Sequence, residues 1–138
     1  PVAYVFESGS KKAGIVTDLG TYDESIISNF NNLDTVMIEA NHDINMLMTG
    51  PYPYPLKQRI LGLRGHLSNE ACGRLLGELI SDRTEHIVLG HLSHENNFAD
   101  LAYETVRMEI NLGDNAFNAE DFDIQVARRD VPSDIITI

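Results

Sequence analysis

Apolar and polar positions alternate in two registers along the chain, and the changes of register predict its elements. Val2–Glu7 and Ala13–Thr17 alternate as strands. The Ser8-Gly9-Ser10-Lys11-Lys12 turn between them makes a hairpin, with its lysines at a solvated tip. Thr35–Ile38 and Glu85–Leu89 are short β-branched runs of the buried-strand type. Asp121–Arg128 places Phe122, Ile124 and Val126 on one side, and the apolar Ile135–Ile138 predicts a further short strand. Helical spacing takes over elsewhere. Thr21-Tyr22-Asp23-Glu24 has the form of a capping box with Thr21 as N-cap, followed by Ile26, Ile27 and Phe30. Ile44–Met48 predicts a single helical turn, and Leu56–Leu63 a short helix carrying Arg59.

Two longer helices are clearer. After Ser68 as N-cap and Glu70 in the first turn, Ala71/Leu75/Leu79 and Cys72/Leu76/Ile80 form adjacent i, i+4 rows of one buried face. Cys72 falls in that stripe and reads as a core thiol. Phe98, Leu101, Ala102, Thr105 and Met108 give the last helix its apolar face, with Asn97 as cap, Asp100 at N3 and a stop at Gly113-Asp114-Asn115. Gly50-Pro51-Tyr52-Pro53-Tyr54-Pro55 is excluded from helix and central strand by its alternate prolines, and reads as an ordered loop of the kind that covers a site. Strands alternating with amphipathic helices over short connections predict an α/β fold in one domain, 1–138.

Composition narrows the class. With 43% apolar and 22% charged residues the chain can bury a core. It has no apolar run long enough for a transmembrane helix and no leader-like start. A single cysteine excludes an internal disulfide and suits the reducing cytoplasm. The net charge of −11, from 10 basic and 21 acidic residues, argues against a broad nucleic-acid footprint on this chain.

Chemistry concentrates where strands stop. Asp18 ends the second strand, Glu39-Ala40-Asn41-His42-Asp43 the third, and Gly90-His91-Leu92-Ser93-His94 the fourth. The earlier loop Gly65-His66-Leu67-Ser68-Asn69 nearly copies the last of these. In α/β sheets, sites form beyond the carboxyl ends of strands. A carboxylate with two or more histidines there suits a borderline divalent ion such as zinc, or general acid–base work. A histidine at a helix start also serves as a plain polar cap, and spacing leaves these readings open. His86 lies away from the strand end and reads as an edge or surface residue. No HxxEH, CxxC, Gly-x-Ser-x-Gly or P-loop pattern is present.

The ordered set Thr-Asp-Leu-Gly (17–20), Glu-Ala-Asn-His-Asp (39–43), Gly-His-Leu-Ser-Asn (65–69) and Gly-His-Leu-Ser-x-Glu-Asn-Asn (90–97) resembles the C-terminal half of metallo-β-lactamase-fold hydrolases. The similarity is to the WalJ/YycJ-type branch and, more distantly, to RNase Z, and runs from about Val2 to Ile110. It implies half of an αββα sandwich, a mixed sheet with helices on one face, and two divalent metals (zinc or manganese) between the sheets of the intact enzyme. By the same resemblance Asp18 and His91 are metal ligands. His66 is the catalytic residue beside the scissile phosphate. Glu39, His42, Asp43, Ser68 and Asn97 support them without binding metal. His94 is left outside the site.

One departure from the family pattern is large. Its His-x-His-x-Asp-His cluster is absent, and no histidine precedes His42. The expectation is therefore the C-terminal half of a longer cytoplasmic hydrolase, a phosphodiesterase or nuclease of the 5′–3′ DNA exonuclease type. This chain alone is expected to bind metal weakly or not at all and to hydrolyse nothing. The intact enzyme takes nucleic acid, with any basic groove supplied by the other half. The chain's exposed inner sheet face is expected to meet that half or a second copy. Two alternatives share the same residues: a metallo-hydrolase acting on a lactone or thioester, and a non-catalytic α/β interaction module.

Overall fold

The computed structural model describes residues 2–138. Five strands form one mixed sheet in the order β1 (Ala3–Ser8), β2 (Lys11–Val16), β3 (Thr35–Glu39), β4 (His86–Gly90), β5 (Asp123–Val126). β1 and β2 are an antiparallel hairpin, and β2 to β5 run parallel. The hairpin turn is only Gly9-Ser10, with Gly9 at φ 61. The lysines expected at a solvated tip instead begin β2. Lys11 pairs with Asp34 and Glu85, and Lys12 Nζ donates to the Asn29 and Asn31 carbonyls.

The helices are α1 (Glu24–Asn29), α2 (Ile44–Thr49), α3 (Tyr54–Leu61), α4 (Asn69–Leu79) and α5 (Ala99–Leu112). Val16, Val36, Ile38, Ile87 and Leu89 point from the sheet into one core, where they meet Phe30, Leu33 and the inner faces of α4 and α5. Cys72 is fully buried there, and burial pushes its thiol up. The alternate residues of the strands form the other face, where Tyr4, Phe6 and Ile15 are exposed and Tyr4 stacks on Phe6.

Several sequence expectations are corrected. Asp23, not Thr21, caps α1, accepting from the backbone of Ser25 and Ile26. Its carboxylate sits one residue before the first turn and is the better acceptor for those free N–H groups. α3 begins inside the proline segment: Pro53 is its N-cap and Pro55 occupies the first turn, where a missing N–H costs nothing. Phe98, not Asn97, is the N-cap of α5, and Phe98 and Met108 are more than half exposed. The buried face of α5 is Ala102, Thr105, Val106 and Ile110. A 3-10 turn, Ala119–Asp121, delays β5 by two residues. Ile135–Ile138 forms no strand and Ile135 is exposed. The chain bends at Arg129–Val131, and Pro132 lacks a ladder donor. No described helix is long and apolar enough to cross a membrane.

Candidate metal centre

The site grows from the end of β3. Parallel pairing of β2, β3 and β4 brings their carboxyl ends to one edge, so Asp18, Glu39 and His91 arrive together. Past Glu39 the chain keeps pairing. Ala40 N donates to the Gly90 carbonyl, Asn41 N to Leu67 and Asn69 N to His42, and His42 and Ser68 form a parallel bridge. This seam brings the 66–69 loop, which comes from the far side of α3, beside the sheet edge.

Glu39 is the hub. Its side chain is fully buried, yet every neighbour donates to it. Oε1 accepts from the backbone N–H of Leu19 (3.2 Å) and Leu67 (2.9 Å). Oε2 accepts from Asp18 N (3.1 Å), His66 Nδ1 (2.9 Å) and His91 Nδ1 (2.5 Å). A buried carboxylate is tolerated only with such a full set of donors. Because the carboxylate accepts, Nδ1 carries the hydrogen in both rings and each Nε2 keeps its lone pair. The two rings lie 5.2 Å apart, centre to centre. Asp18 Oδ1 is 3.9 Å from His91 Nε2.

Asp18, Glu39, His66 and His91 each offer a donor atom, and these lie within 4.8 Å of one another. The donor set fits a divalent metal: two imidazoles and one exposed carboxylate at the rim, with a buried carboxylate behind that fixes both tautomers. Asp18 and His91 both adopt left-handed backbone, φ 58 and φ 55, which costs about 1–3 kcal/mol each in a non-glycine residue. Both strains turn a side chain off the end of a strand towards the same point. Gly20 and Gly65 press backbone on backbone, and a Cβ at Gly20 would meet Gly65 N and the Gly62 carbonyl. That contact sets the distance between the Asp18 and His66 loops.

The remaining expected residues lie behind this layer. Ser68 caps α4, accepting from Ala71 N at 3.1 Å. Asp43 caps α2, accepting from Met46 N at 2.8 Å. Asn97 faces inward, donating to the Ala40 and Asn41 carbonyls and exchanging amide hydrogen bonds with Asn69. His42 is buried with only Asn41 Oδ1 near its Nδ1 (3.4 Å), and its Nε2 has no partner among the described residues. Burial first, and then nearby His66, hold the His42 pKa below the ordinary histidine value. His94 is exposed beside Glu95, and half-buried His86 begins interior strand β4 and bonds Asp123 at 2.9 Å, which lowers the Asp123 pKa. Asn41 and Asn69 were not anticipated. Asn41 Nδ2 holds the His91 carbonyl at 2.8 Å, a role set by tertiary pairing that sequence spacing does not carry.

The site opens into a cavity of about 1200 Å³. Its lining includes Asp18, His66 and His91 together with Arg59, Arg64, Arg128 and Arg129. The expectation that basic groups come only from another part of the protein is therefore corrected. The chain is acidic as a whole, yet four arginines against two aspartates line this cavity, because the fold gathers arginines that are up to 70 positions apart in sequence.

No protein-family model matches the chain. It is 42% identical over 106 residues to the exodeoxyribonuclease WalJ of Streptococcus pneumoniae, a match covering 77% of this chain and 39% of that protein. It is 36% identical over 106 residues to the exodeoxyribonuclease YycJ of Bacillus anthracis, covering 77% of this chain and 40% of that protein. The crystal structure of the metallo-β-lactamase fold protein YhfI from Bacillus subtilis superposes with a TM-score of 0.59 at 17% identity, over 91% of this chain and 40% of that one. The chain is thus homologous to the WalJ and YycJ proteins, carries part of the metallo-β-lactamase fold, and spans about 40% of the length of the curated relatives it matches.

Proposed function

We propose that this chain is the C-terminal half of a metal-dependent phosphodiesterase that degrades DNA as a 5′–3′ exonuclease, acting in the cytoplasm. The observation that supports it most is Glu39 accepting from Nδ1 of both His66 and His91, with the Asp18 carboxylate beside them. That arrangement brings two imidazoles and two carboxylates together with donor atoms within 4.8 Å of one another, a set of the kind divalent metals take. Asp18 and His91 would hold a divalent metal, zinc or manganese. Bound metal supplies a water of lowered pKa and neutralises charge on a phosphodiester. His66 can take a second proton at Nε2, its charge balanced by Glu39, and deliver it to the leaving oxygen. His42, Asp43, Ser68 and Asn97 hold the loops that carry these groups.

Two protein ligands are fewer than the roughly three each metal needs, so the remaining ligands belong to the rest of the intact protein. The open sheet face with Tyr4, Phe6 and Ile15 is the surface that the rest of the fold covers, and alone it drives self-association. The test is an exonuclease assay of the intact protein on end-labelled DNA with added manganese or zinc. Activity abolished by Asp18→Ala and reduced at least a hundredfold by His66→Ala is expected, on the scale of general acid catalysis. Hydrolysis of a lactone or thioester with DNA left uncut would overturn the reading.

A further inference from the structure

The protein has seven arginines, and the fold divides them into two groups. Arg74, Arg83 and Arg107 each pair with a carboxylate, on Glu109, Asp34 and Glu104 with Glu120 respectively. Arg59, Arg64, Arg128 and Arg129 have no carboxylate partner among the described residues, and all four line the one cavity that holds Asp18, His66 and His91. They come from three separate segments: the last turn of α3, the loop before Gly65, and the stretch after β5. Arg129 is fixed against the His91 loop by a 3.0 Å bond to the Leu92 carbonyl. In a chain of net charge −11 with surplus carboxylates, four guanidiniums without a carboxylate partner around one cavity, against Asp18 and Asp130 in the same lining, are not an accident of composition. Guanidinium forks match phosphate oxygens.

Phe98 adds a second kind of contact. It lines the same cavity and is 55% exposed, at the start of a helix whose buried face is Ala102, Thr105, Val106 and Ile110. Tyr52 lines the cavity as well. The volume, about 1200 Å³, exceeds the roughly 300–1000 Å³ of a small-molecule site, yet the wall offers no broad basic face for a duplex. Cationic groups along a trough with an exposed aromatic ring are the elements of single-strand recognition.

We propose that Arg59, Arg64, Arg128 and Arg129 form a phosphate-tracking wall that holds a single strand of nucleic acid, with Phe98 as a base-stacking platform, leading the strand end to Asp18, His66 and His91. This rests on the phosphodiesterase reading above and names the form of nucleic acid that reaches the site. Binding does not need metal, so it is measured in chelator, by fluorescence anisotropy of a labelled oligothymidylate across a salt series, with inorganic polyphosphate as the base-free probe. Arg59→Ser with Arg128→Ser should weaken oligonucleotide binding about tenfold or more and flatten the salt dependence by about 0.7 per arginine removed. Arg74→Ser should change neither. Phe98→Ala should weaken oligonucleotide binding severalfold and leave polyphosphate binding unchanged. If the double variant binds and titrates with salt like the wild type, the wall is wrong even where the intact protein cleaves DNA. If Phe98→Ala has no effect and polyphosphate binds as tightly as the oligonucleotide, the nucleic-acid assignment is overturned. Failure of the phosphodiesterase reading would appear separately, as strand binding without cleavage in the metal-loaded intact protein.

Discussion

Glu39 decides the chemistry of the site although it faces no solvent. One carboxylate satisfies three backbone N–H groups and two imidazoles, so replacing it separates orientation from stability. Glu39→Gln keeps the volume but puts a donor where acceptors are needed. It should lower the metal affinity of the intact protein about 10–100-fold, as loss of an orienting partner does, with circular dichroism unchanged. Glu39→Ala leaves buried donors unpaired and should cost roughly 3–5 kcal/mol in denaturant unfolding. His42 reports on burial in another way. Its folded pKa lies below the ordinary value, so below a pH of about 6.5 the unfolded chain binds a proton that the folded chain refuses. That contribution to stability is complete above about pH 6.5 and is lost as pH falls towards the folded value. Urea midpoints for wild type should therefore drop between about pH 7.5 and 5.5 more than those of His42→Asn.

At the scale of elements, the seam between the β3 end and the 66–69 loop is what makes four distant residues neighbours. It depends on close approach at Gly65, where a Cβ would collide with the Ile60 and Arg59 carbonyls. Gly65→Ala should push the loop outward, separate His66 from Glu39 and lower stability by about 1–3 kcal/mol, an overpacking cost. A crystal structure of the variant reads the displacement directly. Gly62→Ala, with more room, is the control. The elements themselves were largely legible. The i, i+4 rows of α4, the Ser68 cap and the strand runs at Thr35 and Glu85 follow from periodicity and form as expected, while Ile135–Ile138 does not. The failures have different causes. Asp23 outcompetes Thr21 through local backbone N–H groups, whereas Asn97 turns inward because distant carbonyls and Asn69 take its amide.

For the whole molecule, the candidate site was legible in part. Asp18 stood out because it ends a recognisable strand, and His66 and His91 because they sit in a repeated loop pattern at element boundaries. The centrality of Glu39 and the gathering of the four arginines were not legible, since both depend on which strand ends lie side by side. Net charge misled for the same reason: an average of −11 hides four arginines gathered around one cavity. The account's central claim is that Glu39 holds both imidazoles with Nδ1 protonated, leaving Nε2 of His91 free for metal and Nε2 of His66 free to carry a proton. The measurement that tests it most directly is nitrogen-15 NMR of the histidine rings at about neutral pH, before and during titration with zinc. His66 and His91 should show the Nδ1–H tautomer without metal, and the His91 Nε2 signal should move on zinc addition, even at weak affinity, while His86 and His94 stay unchanged. Nε2–H tautomers at His66 and His91, or zinc shifts confined to His86 and His94, would contradict it.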